Sequence, residues 1–213
     1  MLYIVVEDKD MLYSNGMEIF LKQIFANEKR MSVHVSALSE DTVGMADIIV
    51  KSFGAGERCI CHPILRNRKP DSLLIGVCEG RKSIQYIELP LCINNAVFIN
   101  RTESLSRTKK LIVRGWEDCV AEYVKRAQRS CLDCPHRTLS PQQVKVAAHF
   151  YRGVNPEKIA SDLQISIKTV CAHKHMIMNK FNLDSDCELL HFLHGVKQQK
   201  LMPNLFSECL TGN

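Results

Sequence analysis

Three consecutive helices with strong start signals are predicted between residues 139 and 183. Ser140 stands three residues before Gln143, which is the pattern of a capping box. The first helix ends at Gly153, a second short helix begins after Asn155, and Ser166 is the N-cap of a third. The pattern therefore predicts two short helices that meet at a turn, followed by a longer third helix.

The third helix has one apolar face and one mixed polar face. Val170, Ile177 and Phe181 recur at the spacing that faces a core. The outer face offers cations, small groups and an amide, namely Lys168, Thr169, Cys171, Ala172, Lys174, His175 and Asn179. Such groups suit phosphates and base edges in a major groove. A solvated helix face is the alternative for one basic helix alone, but the two capped helices before it favour a DNA-reading unit.

Residues 137–196 resemble the C-terminal helix-turn-helix of the LuxR/NarL family of bacterial regulators. The residues that carry the resemblance are Leu139, Ser140, Gly153, Ile159, Ala160, Leu163, Ile165, Ser166, Lys168, Thr169, Val170, His173 and Lys180, followed by Leu189, Leu190, Phe192, Leu193 and Val196. The I-K-T, A-H-K and E-L-L runs are also similar to the capsule-synthesis regulators of enteric bacteria and their auxiliary partners. The resemblance implies binding of double-stranded DNA, with no enzymatic activity and no cofactor.

The resemblance also assigns roles to residues of the third and last helices. Lys168, Thr169 and Lys174 would hold phosphates, while Cys171, Ala172 and His175 would approach bases. The last helix would pair two copies, or two related regulators, through Leu189, Phe192, Leu193 and Val196. A dimer is expected because one such unit makes few base contacts.

Four departures from the family pattern weaken its usual contacts. Gln143 replaces a glutamate and His149 replaces a leucine in the first helix. Cys171 and His175 stand where many members have lysines, so two cationic contacts are lost or become dependent on pH. The histidines of this region, His149, His173, His175, His191 and His194, could therefore sense acid, although most such histidines are structural or solvated. DNA affinity is expected to be modest.

Length and composition predict a second domain before the helices. The chain has 213 residues, of which 46% are hydrophobic, and a formal net charge of +5. One domain usually has roughly 100–150 residues. The excess of Lys and Arg lies after residue 100, as expected if DNA binds there. A cytoplasmic location is expected, because no apolar run is long enough to span a membrane and the first residues lack a basic signal region.

The N-terminal half predicts an α/β fold with a parallel sheet. Apolar runs at 2–6, 33–38, 46–50, 73–78 and 96–99 read as strands, and the residues from Tyr13 to Phe25 have helical spacing. The order of strand, acidic tip and helix is similar to a response-regulator receiver domain over about residues 1–125. Helical spacing around Trp116 predicts a closing helix within 101–130.

The receiver chemistry is predicted to be disabled. Phosphoryl acceptance needs an aspartate at the end of the third strand beside an acidic pair that binds metal. Ser52 takes that acceptor position, so the pair Glu7 and Asp8 has lost its partner. The alternative is that both carboxylates only solvate the strand end. We expect a domain that does not use aspartyl phosphate.

Cysteine and histidine clusters offer the main competing interpretation. Cys131, Cys134 and His136, with the C-x-C-H run at 59–62, supply ligand types that zinc prefers. Unliganded thiols remain the favoured alternative, because the ten cysteines are scattered and a reducing compartment keeps them as small buried hydrophobes. A zinc-dependent or thiol-dependent protein is therefore the alternative from another class.

The sequence thus predicts a dimeric, sequence-specific DNA-binding transcription regulator. Its predicted parts are a receiver-like domain at 1–130, a linker at 131–137, a helix-turn-helix domain at 138–200 and a tail at 201–213. An auxiliary protein that acts mainly by pairing with another regulator is the second hypothesis, motivated by Cys171 and His175 in place of lysines.

Overall fold

Five parallel strands form the centre of the N-terminal part. In this computed structural model, which describes residues 1–79, 89–122, 134, 136–198 and 205–211, the strands are β1 (Leu2–Glu7), β2 (Val33–Ala37), β3 (Ile48–Phe53), β4 (Leu73–Cys78) and β5 (Ala96–Asn100). All neighbours are parallel, in the order β2-β1-β3-β4-β5. The predicted strands are confirmed, because each apolar run overlaps one of them.

Helices α1 (Met11–Lys22), which continues as a π-helical turn at Gln23–Glu28, and α3 (Leu105–Glu122) pack on the sheet through apolar contacts. A short helix, α2 (Glu40–Val43), lies between β2 and β3 in sequence. α1 begins after Asp10, whose carboxylate accepts hydrogen bonds from two backbone N–H groups at 2.9 and 3.1 Å. The predicted closing helix is α3, and its Trp116 ring lies edge-on to Phe25 with the ring centroids 5.8 Å apart.

Gly115 allows α3 to approach the sheet closely. A Cβ atom at this position would lie 2.2 Å from the side chain of Val97 on β5 and 3.3 Å from Leu73 on β4. No side chain fits at the shorter distance, so glycine sets the helix-to-sheet spacing here. The core beneath contains strand residues such as Ile4, Ile48 and Ile75, all without solvent exposure.

Among the described residues of the C-terminal part, the helices are α4 (Pro141–Tyr151), α5 (Pro156–Leu163), α6 (Ile167–Phe181), α7 (Asp186–Gln198) and α8 (Leu205–Thr211). The predicted caps are confirmed: Ser140 and Gln143 form a reciprocal capping box, and Ser166 accepts from the third N–H of α6 at 3.0 Å. Asn155 accepts from the Lys158 N–H at 2.8 Å at the start of α5.

The first three of these helices share a small core. Val146, Ile159 and Val170, from α4, α5 and α6, are buried together. α5 ends at Gln164 in the left-handed conformation, with φ of +54°, and this residue turns the chain directly into α6. The helix-turn-helix predicted from the caps is therefore present.

The chain divides into two compact units. One comprises residues 1–53 and 62–135, and the other comprises 54–61 and 136–213. The second unit thus includes a short segment that follows β3 in sequence, where the Cys59 carbonyl accepts from the Arg137 N–H at 2.7 Å. It also includes α8, which lies in the predicted tail: Phe206 is buried and meets Tyr151 edge-on, with the ring centroids 5.7 Å apart. None of the helices among the described residues is long and apolar enough to cross a membrane.

Candidate functional site

The exposed face of α6 gathers most of the residues predicted to meet DNA. Lys168, Cys171, Ala172, His175 and Asn179 are all exposed, at intervals of three or four residues along one side of the helix. Side chains at this spacing lie on one face. Thr169 is half-buried at the edge of this face, and its hydroxyl lies 2.8 Å from that of Ser166.

The opposite face of α6 fixes the orientation of the helix. Val170, Ile177 and Phe181 are buried, as the spacing predicts. His173 is half-buried between the two faces, and its Nδ1 atom has no hydrogen-bond partner among the described residues. Burial along one side leaves the other free for a large ligand.

Lys174 is occupied within its own unit. Its ammonium lies 2.6 Å from the carboxylate of Asp186 at the start of α7 and 4.6 Å from the ring centroid of Phe150 on α4. This lysine therefore ties α6 to two neighbouring helices. Its expected phosphate contact would require the ion pair to open or to be shared.

Lys180 is also used internally. Its ammonium donates a hydrogen bond to the Thr138 carbonyl at 2.8 Å, while its own carbonyl accepts from the guanidinium of Arg137. Among the three lysines of α6, only Lys168 is exposed, and the other two are half-buried. The positive charge of this face is therefore concentrated near the N-terminal end of the helix.

Two apolar side chains extend the exposed face beyond the predicted residues. Ile167 is 47% exposed and Met176 is 46% exposed. Met176 follows Ala172 by four residues, and that spacing could have revealed its position. Apolar groups on such a face can contact the methyl groups of thymine.

The predicted dimer residues lie mostly inside the second unit. Leu189, Phe192 and Leu193 are buried, and Val196 is half-buried. Phe192 packs on Phe181 with a centroid distance of 4.3 Å. Most of these residues therefore belong to the core of the unit. Sequence spacing alone does not distinguish such core residues from apolar residues that would contact a second copy.

The exposed side of α7 carries other residues. Cys187, Leu190, His191 and His194 are exposed there. The Nδ1 atom of His194 lies 3.2 Å from the hydroxyl of Tyr151. Of the other histidines, His149 is held by the Lys145 carbonyl at 3.0 Å and lies 3.7 Å from Asp162.

A second polar cluster lies at the carboxyl edge of the sheet. The guanidinium of Arg101, which follows β5, donates to both carboxylate oxygens of Asp8 at 2.7 Å. Ser52 on β3 donates its hydroxyl to the same carboxylate, and Arg101 lies 3.1 Å from the Ser52 oxygen. The ends of three parallel strands meet here, so the predicted acceptor position and acidic pair are neighbours.

The remaining groups around this cluster are also paired. Lys51 binds Glu7 at 2.6 Å, and the Arg101 guanidinium lies 4.3 Å from the ring centroid of Tyr13. Burial of Asp8 opposes its ionisation, but hydrogen bonds from Arg101, Ser52 and a backbone N–H, together with the Arg101 charge, outweigh burial and lower the pKa of this carboxyl. The interpretation of Glu7 and Asp8 as merely solvated does not describe these contacts.

The acidic pair does not fit a divalent metal in this arrangement. Mg²⁺ requires oxygen ligands at about 2.0–2.1 Å and usually retains several waters. Both Asp8 oxygens already accept from Arg101, and the Asp8 side chain is only 1% exposed. A metal could bind here only if Arg101 were displaced.

The cysteine candidates for a zinc or thiol site are dispersed or buried. No group of three His, Cys, Asp or Glu side chains suited to a metal occurs within the described parts of the chain, and Cys131 lies outside them. The Cys134 sulfur accepts from the Leu91 N–H at 3.2 Å, and His136 is half-buried. Burial raises the pKa of the Cys59 thiol although Arg137 and Arg58 oppose the shift, so this thiol is mostly protonated and weakly nucleophilic at neutral pH.

The second unit matches the family described as "Bacterial regulatory proteins, luxR family" over residues 137–193. The match includes α4, α5 and α6 and the first part of α7. Residues 137–193 are a luxR-family domain. The expected LuxR/NarL resemblance is thus confirmed, and the exposed face of α6 belongs to this luxR-family domain.

Curated relatives match mainly across the same domain. The transcriptional activator protein BglJ of Escherichia coli (strain K12) is 41% identical over 54 residues, which are 25% of this chain and 24% of BglJ. The oxygen regulatory protein NreC of Staphylococcus carnosus (strain TM300) is 40% identical over 58 residues, 27% of each chain. NreC of Staphylococcus aureus (strain JH9) is 27% identical over 131 residues, 61% of this chain and 49% of that protein. The chain therefore spans from a quarter to a half of the length of these relatives.

Solved structures share the fold along most of the chain. A complex of the two-component response regulator RcsB with DNA has a TM-score of 0.53 at 15% identity, covering 92% of this chain and 98% of that chain. RcsB from Salmonella enterica serovar Typhimurium bound to a promoter gives 0.54 at 14% identity, with the same coverage. The predicted fold class, a receiver-like α/β unit and a helical luxR-family domain, is confirmed.

Proposed function

We propose that this protein is a sequence-specific DNA-binding transcription regulator that inserts α6 into the major groove. The exposed face of α6 carries the proposal, because Lys168, Ala172 and His175 lie on one side of a helix whose other side is buried. A B-DNA major groove is about 12 Å wide and admits one α-helix. The luxR-family match and the DNA complex of the similarly folded RcsB support this proposal.

The residues of this face take different roles in the proposed complex. Lys168 holds a phosphate, and the half-buried Thr169 lies beside it at the N-terminal end of α6. Cys171 and Ala172 approach the bases and favour apolar contacts such as thymine methyl groups, while His175 supplies a hydrogen bond. Lys174 acts mainly by positioning α6, because its ammonium is paired with Asp186.

We further propose that the protein reads DNA as a dimer. One unit of this type makes few base contacts, and two half-sites supply the specificity that one lacks. The contact would use the exposed side of α7, with Leu190, His191 and His194, rather than the buried Leu189 and Phe192. A partner could be a second copy or a related regulator.

The receiver-like unit is proposed to work without aspartyl phosphate. Ser52 occupies the acceptor position, and its hydroxyl is bonded to Asp8. We expect no acid-labile phosphate on the protein after incubation with acetyl phosphate. Stoichiometric incorporation would contradict this part of the proposal. The family and fold are those of transcription regulators, and we assign no catalytic residue.

The salt dependence of DNA binding tests the role of α6. Binding to a labelled duplex is measured across a salt series for the wild type and for Lys168→Ala. Each lost phosphate contact lowers the slope of log K against log salt by about 0.9. Lys110→Ala, which removes an exposed lysine from α3 in the other unit, is the matched control and should leave the slope unchanged. Equal slopes for the wild type and Lys168→Ala would contradict the proposed placement of α6.

An auxiliary function is the second candidate. Lys168 is exposed whereas the other α6 lysines are half-buried, and Cys171 is an exposed neutral residue on the same face. A protein with such a face should bind DNA weakly by itself and more strongly when it is paired with a more basic regulator. Mixing the protein with a related regulator and measuring a slower, mixed complex on DNA would favour this candidate over an autonomous regulator.

A further inference from the structure

The Asp8 carboxylate is a buried anion with one guanidinium as its counter-charge. Its side chain is 1% exposed and that of Arg101 is 19% exposed. Two hydrogen bonds of 2.7 Å join them, and the Ser52 hydroxyl and the Asp10 N–H complete the shell around the carboxylate. A buried carboxylate requires such compensation, because an unpaired buried charge is strongly unfavourable.

We propose that Arg101 is the built-in cation of the receiver-like unit. Its guanidinium permanently occupies the place beside Asp8 that a divalent metal would need, and it holds the ends of β1, β3 and β5 together without metal or phosphate. The unit therefore keeps one arrangement of these strand ends, and its regulation cannot depend on occupancy by Mg²⁺ or phosphate. This inference concerns the sheet-bearing unit alone and does not depend on DNA binding.

The groups around Arg101 fix its guanidinium in place. The Tyr13 ring lies over it at 4.3 Å, and Glu79 lies 3.2 Å from its Nε atom. Glu7, the other carboxylate of the acidic pair, is engaged by Lys51 and is therefore not free to compete for Arg101. Both hydrogen bonds to Asp8 come from the same Nη2 atom of Arg101, which lies 2.7 Å from each carboxylate oxygen.

The arrangement explains why Ser52 suits this site. An aspartate at this position would place a third carboxylate beside Asp8 and Glu7, and like charges at such distances repel. A serine hydroxyl can donate to Asp8 and lies 3.1 Å from Arg101. The Arg101 guanidinium, the Ser52 hydroxyl and the Asp10 N–H thus satisfy the Asp8 carboxylate.

Thermal unfolding with and without millimolar Mg²⁺ tests the proposal in the full chain. The wild-type Tm should respond to Mg²⁺ no more than the Tm of Asp8→Asn, which lacks the carboxylate. Arg114→Gln, which removes an exposed arginine from α3, is the control for the loss of an arginine. Arg101→Gln should lower the Tm by about 5 °C or more, because it leaves Asp8 buried and unpaired. Arg101→Lys should recover part of this loss. A specific rise of the wild-type Tm in Mg²⁺, or an Arg101→Gln Tm equal to that of the control, would overturn the proposal.

A second variant keeps the test decisive if Arg101→Gln does not fold. Ser52→Asp/Arg101→Lys rebuilds an acidic group of Glu7, Asp8 and a new carboxylate. This variant should bind Mn²⁺, whereas the wild type should not. Binding is measured as the loss of the electron paramagnetic resonance signal of free Mn²⁺. Binding of one Mn²⁺ by the wild type, abolished by Asp8→Asn, would show that Arg101 yields to a metal and would refute the proposal.

Discussion

The two units of this protein use their polar groups in opposite ways. In the receiver-like unit, Asp8, Ser52 and Arg101 at the strand ends are bonded to one another. In the luxR-family domain, Lys168 and His175 are exposed on a helix that neighbouring helices hold by its apolar side. The first arrangement favours a fixed internal structure, whereas the second is suited to a large external ligand. The types of the polar residues do not show whether they bond internally or face an external ligand. Their burial and their hydrogen-bond partners do show this.

The largest expected effect is a difference in stability between a buried and an exposed substitution in α7. Phe192→Ala removes a buried ring that packs on Phe181, and such a change usually costs about 3–5 kcal/mol of the free energy of unfolding. Leu190→Ala, two residues earlier on the exposed side, should cost about 0.5 kcal/mol or less. Denaturant unfolding of both variants checks the difference.

The same pair of variants tests the proposed dimer contact. Leu190→Ala should weaken self-association on DNA without loss of stability, which sedimentation of the protein with a duplex would measure. Equal stability losses for the two variants would mean that the inner and outer sides of α7 are not separated as described.

The next effect concerns acid stability of the receiver-like unit. The folded pKa of Asp8 lies below its ordinary value, so its ionised form contributes stability above the unfolded pKa of about 4 and loses that contribution as pH falls below it. Asp8→Asn should therefore show a weaker decrease in the free energy of unfolding as pH falls below about 4. Chemical unfolding at several acid pH values measures this, with Glu18→Gln, which removes a partly exposed carboxylate from α1, as the control. Identical acid dependence in the wild type and Asp8→Asn would contradict the internal role of this carboxylate.

The smallest expected effect concerns Lys174 of α6, which is paired with Asp186, in comparison with the exposed Lys168. Lys174→Ala breaks a partly exposed ion pair with Asp186, which is usually worth about 0–1 kcal/mol. Asp186→Ala should destabilise the domain by a similar amount, and neither change should lower the salt slope of DNA binding as Lys168→Ala does. If Lys174 instead holds a phosphate, Lys174→Ala will lower that slope and Asp186→Ala will strengthen binding.

Local signals predicted the secondary structure well. The caps at Ser140, Asn155 and Ser166 and the apolar strand runs depend on neighbours in sequence, so they could be read directly. Helical spacing also placed Lys168 and His175 on one face of α6. The α/β and helical classes followed from these elements.

Contacts between distant residues could not be read in the same way. The pairing of Arg101 with Asp8 joins positions 93 residues apart, and the Lys174 pair depends on how α7 turns back toward α6. Phe192 looked like a dimer residue because a helix that packs in its own domain and one that packs on a partner show the same apolar spacing. Burial depends on the tertiary arrangement, which spacing does not specify.

Selection of sheared genomic DNA by the purified protein tests whether α6 reads specific DNA sites. Wild type and Lys168→Ala are compared at near-physiological salt, with Lys110→Ala as the control. We expect the wild type and the control to enrich the same discrete sites, while Lys168→Ala enriches them weakly or not at all. Enrichment of no site by the wild type, or equal enrichment by Lys168→Ala, would contradict an autonomous regulator that reads DNA through α6.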